Sequence, residues 1–225
     1  MQANHKNRAT KIRLDAMAPF VKKKIRAYGI DVLLSRHPRV RKLKRLNIPT
    51  VHGNKFWTSS WLLMDYIGRR GLPPKAQVMD VGCGWGLAGI YCARKHGAQV
   101  TSVDMDPAVF PYLCLHAEIN NVQVKTLKKS FQAITGKELE NVDLLFGADI
   151  CFWDSMINPL KNLIRRALRS GVAKVLIADP GRPTFHELGE YFCEKMGGEM
   201  LDWRVRRPRR IQGQILEIVG KKQSK

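Results

Sequence analysis

From Phe56 onward, short apolar runs bounded by turn residues recur at Gln77–Val81, Gln99–Val103, Val122–Lys125, Val142–Phe146 and Lys174–Ala178. Runs of this length predict strands. Between them the apolar spacing lengthens to that of a helix. Leu160, Leu163, Ile164, Ala167 and Leu168 share one helical face, with Lys161, Arg165, Arg166 and Arg169 away from its centre. Asp106-Pro107 predicts an N-cap followed by proline at the first helical position. Thr184-Phe-His-Glu187 has the spacing of a capping box, which leaves His186 exposed. Strand–helix alternation predicts an α/β fold, a doubly wound and mostly parallel sheet with helices on both faces. Met200–Val205 and Gln214–Val219 are strands with no helix between them, so a C-terminal antiparallel hairpin is expected to close the sheet. The first fifty residues differ. Val21, Ile25, Val32 and Leu33 are interleaved with Lys and Arg, and Gly29 and Pro38 break the run. We read residues 1–50 as a basic, largely helical extension and residues 51–225 as the domain proper.

Composition narrows the class. The 225 residues are 44% hydrophobic, enough for a core, and no stretch has the roughly 18 unbroken apolar residues of a membrane-spanning helix. The N-terminus lacks the apolar run and cleavage site of a secretory signal. A transit peptide is disfavoured by the scarcity of serine and by Asp15 and Asp31. Five cysteines, odd in number and without a CxxC pair, point to a reducing, cytoplasmic setting. The net charge of +20 is unevenly placed: residues 1–45 carry +12, residues 204–225 carry +7, and the middle only +1. Basic ends on a near-neutral globule suggest contact with RNA or a ribonucleoprotein through residues 1–45 and 204–210; solubility alone is the plainer alternative.

Chemistry is concentrated at the strand ends. In "VMDVGCGWGLAGI", Gly82, Gly84 and Gly86 follow the first strand of the domain. Ligands in open α/β sheets bind beyond the carboxyl ends of the strands, where such a loop lets a cofactor lie against bare backbone. A tight turn that merely starts a helix is the alternative. The spacing is GxGxG, and the third glycine of a dinucleotide motif would fall at Leu87. Asp80, just ahead of the loop, repels a pyrophosphate but suits a cationic ligand. S-adenosylmethionine (SAM) has no phosphate and carries both an ammonium and a sulfonium. The next strand ends at Asp104, eighteen residues beyond Gly86, placed to bond both hydroxyls of a ribose or else to cap a turn. Asp106 is expected to cap the following helix.

These residues together resemble the class I, seven-strand SAM-dependent methyltransferases, from about Trp57 to the C-terminus. The resemblance implies a Rossmann-like methyltransferase fold and a SAM site at Asp80, Gly82, Gly84 and Asp104. Gly86, Met105, Ala148 and Trp57 are expected beside them, with Ser130 or Phe131 of "KKSFQAI" toward the adenine. A narrower resemblance is to protein lysine methyltransferases, whose mark is an acid, two residues and then Tyr or Phe after the fourth strand. "GADICFWD" supplies Asp149 and Phe152. "WTSSWLLMDYI" also looks like that group, and "ADPGRP" is similar to the relatives that modify electron-transfer flavoprotein. Phe stands where Tyr is commoner, and the basic arm lies outside the shared pattern. By this resemblance Asp149 faces a lysine acceptor. An amine of reference pKa about 10.4 must lose a proton before it attacks the sulfonium methyl, and an acid at the rim would hold and orient it. The other reading gives Asp149 to the SAM amino group or a turn, with Phe152 and Trp153 as walls.

Several chemistries are disfavoured. No Asn/Asp-Pro-Pro-aromatic run follows the fourth strand, Cys151 lacks the setting of a cytosine-C5 nucleophile, and His52, His96, His116 and His186 form no metal spacing or triad. The expected function is methyl transfer from SAM to a protein lysine. An RNA or ribosome-associated methyltransferase, or a SAM-binding protein without activity, are the alternatives.

Overall fold

The computed structural model describes residues 23–50 and 52–220. Its first elements are not the expected helix. Strands β1 (Lys24–Ala27) and β2 (Ile30–Leu33) pair as an antiparallel hairpin, and only then does helix α1 (Pro38–Leu46) begin. The rest of the predicted extension, residues 1–22, lies outside the described residues. Tyr28 and Gly29 at the turn both have positive φ, 53° and 80°, as a two-residue hairpin turn with matched twist requires. Tyr28 is held there by tertiary contacts: its ring stacks on Trp61 at 5.9 Å, and its hydroxyl donates to Asp65.

Docking explains why this basic segment is a strand. Ile30, Val32 and Leu33 are buried in the main core. The Leu33 N–H donates to Nε2 of fully buried His116, whose Nδ1 lies 2.7 Å from the Tyr112 carbonyl oxygen. That pair of bonds places the imidazole proton on Nδ1. Asn120 accepts from the Asp31 N–H and donates to the Asp31 carbonyl, both at 2.8 Å, standing in for a neighbouring strand.

The remaining elements alternate as expected: α2 (Ser59–Arg70), β3 (Gln77–Val81), α3 (Leu87–His96), β4 (Gln99–Asp104), α4 (Phe110–Ile119), β5 (Lys125–Lys128), α5 (Gly136–Leu139), β6 (Leu144–Ala148), α6 (Asp154–Arg169), β7 (Lys174–Asp179) and α7 (Pro183–Met196), then β8 (Glu199–Val205) and β9 (Ile211–Val219). The seven-stranded sheet has the order β5-β4-β3-β6-β7-β9-β8. Strands β3 to β7 pair in parallel, and β9 is antiparallel to both β7 and β8. The order in which the chain adds strands therefore reverses between the parallel neighbours β3 and β6, which opens a crevice at their carboxyl ends.

Two local expectations are corrected. The edge strand begins at Lys125 rather than Val122, because the Val122 N–H closes the end of α4 on the Ala117 carbonyl. Thr184 does not cap a helix. Its hydroxyl donates to the Cys151 carbonyl, and α7 starts one residue earlier at Pro183, leaving His186 half-buried. A capping box forms instead between Thr135 and Glu138 at α5. Asp106 caps as expected, accepting from the Ala108 N–H at 3.0 Å ahead of a single tight turn before α4.

Candidate functional site

The glycine loop is bent by three alternating left-handed positions: Gly82, Gly84 and Gly86 have φ of 62°, 51° and 69°. Asp104 fixes it. One carboxylate oxygen accepts from the Gly84 N–H and the other from the Asp106 N–H, each at 3.0 Å. A carboxylate has about four lone-pair directions, so each oxygen keeps one for a hydroxyl pair on a ligand. Burial pushes this carboxyl above its usual range, and the backbone N–H groups of Asp106, Gly84 and Met105 oppose that shift. A Cβ at Gly84 would meet no protein atom within 4 Å, so it would project into the open space before the loop.

Gly86 serves packing, and lines a small cleft behind the loop. A Cβ there would come within 2.6 Å of the Leu113 side chain, and Gly86 does not line the main cavity. Asp80 lies deeper, 4% exposed, accepting from the Gly89 N–H at 3.3 Å. Burial, with the nearby Asp104 charge, pushes its pKa up to about 8 despite that bond. It borders the same small cleft behind the loop together with Trp57, Gly82, Gly84 and Ala148.

In front of the loop is a cavity of about 460 Å³, within the range of small-molecule sites. Asp104, Met105, Ser130 and Phe131 line one side, and Trp57, Ala148, Asp149, Phe152 and Trp153 the other. Its mouth is aromatic: Trp57 and Phe152 have ring centroids 5.7 Å apart, and Phe152 and Trp153 5.6 Å. Trp153 is 48% exposed.

Asp149 sits in a left-handed conformation, φ 57°, at the end of β6. Its N–H donates to the Ala178 carbonyl. One oxygen accepts from the Ser59 N–H at the start of α2, a helix N-terminus that favours negative charge. The other accepts from Arg182 Nη2 at 3.0 Å, while Arg182 Nη1 pairs with Asp179. Asp149 is 3% exposed, and both of its oxygens already have a protein partner. The Arg182 guanidinium also faces the rings of Phe152 and Trp57, at 5.4 and 5.9 Å.

Sequence reasoning missed Ser59, Arg182 and His52, the last of which lines the cavity mouth. Arg182 and Ser59 had a signal in their places in "ADPGRP" and "WTSSWLLMDYI", and His52 had none. Among the described residues no His/Cys/Asp/Glu cluster has metal-binding geometry.

Taken residue by residue, the cavity fits SAM. Asp104 offers lone pairs to a diol, Gly84 leaves room for close approach, and Asp80 supplies an acid behind the loop. When bound, that group supplies a methyl made electrophilic by its sulfonium.

Residues 78–171 match a family model described as a methyltransferase domain. The electron transfer flavoprotein beta subunit lysine methyltransferase of Xenopus laevis is 29% identical over 139 residues, 60% of this chain and 56% of that protein. A ubiquinone biosynthesis O-methyltransferase of Xanthomonas campestris is 36% identical over 80 residues, 36% of this chain and 33% of that one. The chain thus spans between a third and just over half the length of these relatives. Among solved structures, a SAM-dependent methyltransferase from Aquifex aeolicus superposes with a TM-score of 0.53 at 20% identity, covering 80% of this chain and 98% of its own. That likeness is one of fold. The matched domain, the relatives and the shared fold agree on a class I SAM-dependent methyltransferase domain that resembles the protein lysine methyltransferases.

Proposed function

We propose that this protein transfers a methyl group from SAM to the side-chain amine of a lysine in a protein. The observation that carries the reading is the pairing, across one cavity, of the Asp104–Gly84 cradle with an aromatic mouth backed by Asp149. Trp57, Phe152 and Trp153 offer ring faces, which attract cations and tolerate an alkyl chain. Asp149 and Asp179 share one guanidinium, so with both acids ionised the trio carries one net negative charge behind that mouth. Asp149 orients the rim and attracts the cationic acceptor, and Phe152 walls the channel. The relatives named for the beta subunit of electron transfer flavoprotein make that subunit the first substrate to try. The test is transfer of labelled methyl from SAM to purified beta subunit and to cell extract. Label that protease removes, ribonuclease leaves, and hydrolysis recovers as methyl-lysine is expected. Label found only in a small molecule would favour the O-methyltransferase likeness instead.

A second reading concerns the partner surface. Arg26 of β1 lines one groove with Arg204, Arg206 and Arg207 at the end of β8 and its turn. All four are exposed, and none is in an ion pair with an acid among the described residues. This concentration of guanidinium groups supports contact with an RNA or ribonucleoprotein carrying the target. No helix among the described residues is long and apolar enough to cross a membrane.

A further inference from the structure

We propose that His52 accepts the proton that the acceptor ammonium must lose before methyl transfer. This rests on the amine-acceptor reading above and assigns the step which Asp149 is poorly placed to perform. Among the described residues, five titratable side chains line the cavity: His52, Lys55, Asp104, Lys129 and Asp149. Lys129 is already paired with Glu138 at 2.7 Å, and Lys55 lies over the Trp57 ring. Asp104 is engaged by the glycine loop, and Asp149 by Ser59 and Arg182. His52 is left, and imidazole is the side chain whose ordinary proton equilibrium falls near neutral pH.

Its placement is specific. The ring lies against Phe152, Trp153 and Trp57 at centroid distances of 5.4, 5.5 and 5.8 Å, so it forms part of the aromatic mouth. The backbone is left-handed, φ 46°, uncommon for a residue with a side chain. Two indoles hold that conformation: Trp57 Nε1 donates to the His52 carbonyl at 3.1 Å, and Trp85 Nε1 to the Gly53 carbonyl at 2.9 Å. Backbone strain held by its surroundings clusters at functional positions. The residue is also exposed, which gives the proton a path to water. Charged groups around it are Lys55, 4.3 Å above the Trp57 ring; Arg182, over Trp57 and Phe152; and Asp104, Lys129 and Asp149 in the same cavity, with Asp154 following Trp153 in the chain.

The step balances simply. An N–H bond of the ammonium breaks, and the proton joins the unprotonated ring nitrogen of His52 and passes to water. The freed lone pair forms the N–CH₃ bond while the methyl–sulfur bond breaks, and its electrons stay on sulfur as the neutral thioether leaves.

The variant is His52→Asn, which removes the base but tolerates the left-handed backbone. At pH 7 and saturating SAM, kcat on a lysine substrate should fall by about 10²-fold or more, the range for general bases. The deficit should shrink as pH rises toward the amine's own pKa of about 10.4, and added imidazole should recover part of the rate. SAM affinity by calorimetry should be unchanged. Independently, with S-adenosylhomocysteine bound, n-butylamine should shift the His52 ring resonances. Equal rates and identical pH profiles for the two proteins would overturn the proposal and leave the lysine reading standing. So would a pH-independent loss without imidazole rescue, which would make His52 only a wall. If the wild-type protein methylates another acceptor and no amine, both readings fall together.

Discussion

At the scale of single residues, the site is a set of carboxylates, each given a different partner. Asp104 faces N–H groups and open cavity, Asp80 is buried behind the glycine loop, and Asp149 shares Arg182 with Asp179. Asp104→Ala should therefore weaken SAM binding by roughly 1.5–3 kcal/mol, about ten- to over a hundredfold, as read by calorimetry. Unchanged affinity would remove Asp104 from the cofactor's contacts. Arg182 is argued from a different effect. Arg182→Leu strands two buried acids without a cation, so stability should drop by about 3–5 kcal/mol in denaturant unfolding. Adding Asp149→Asn and Asp179→Asn should recover much of that loss, whereas a purely steric role for Arg182 predicts no recovery. Gly82, Gly84 and Asp104 were legible in the sequence because they fall at the ends of consecutive strands. Arg182 and Ser59 were not, because their meeting at Asp149 joins segments 33 and 90 residues from it in the chain.

At the scale of elements, the apolar runs located the central strands because a buried strand announces itself locally. The β1–β2 hairpin did not, since its burial is decided by His116 and Asn120, 83 and 89 residues away. Its turn also uses Tyr28, a residue with no turn signal, stabilised by the stack on Trp61. This docking should respond to acid. Burial is the largest influence on His116 and lowers its pKa, with His37 and Arg39 adding repulsion. A proton on Nε2 would remove the acceptor that the Leu33 N–H uses. The protonated imidazole is thus favoured in the unfolded chain. The stability that His116 contributes is full above its unfolded pKa of about 6.5 and declines as pH falls below that toward the folded value. Hydrogen exchange at Asp31 and Leu33, corrected for intrinsic rates, should show protection decreasing between pH 7.5 and 5.5. Protection that is constant over that range would mean the hairpin is held without the histidine.

At the scale of the whole molecule, the seven-stranded sheet carries the site on one edge of the crevice, while the arginine-lined groove joins β1 to the β8–β9 turn. The charge asymmetry seen along the chain is thus partly gathered on one surface, although residues 1–22 and 221–225 lie outside the described part. If single-stranded RNA binds there, the logarithm of its affinity should fall with that of salt by about 0.7 per phosphate neutralised. Replacing Arg204, Arg206 and Arg207 by Gln should flatten that slope and leave SAM affinity unchanged. Absence of RNA binding at low salt, where screening is weakest, would make the groove a protein-docking surface. The sheet order has one more consequence, and it concerns synthesis. Strand β9 is made after β8 yet lies between β7 and β8. A nascent chain that has emerged only through β8 therefore presents β7, the strand that ends in Asp179 and lies beside Asp149, with a bare hydrogen-bonding edge open to other chains. Maturation of the site must wait for residues 211–219, so a ribosome that pauses late in this message exposes an adhesive intermediate, which a chaperone would be expected to shield until the last strand inserts.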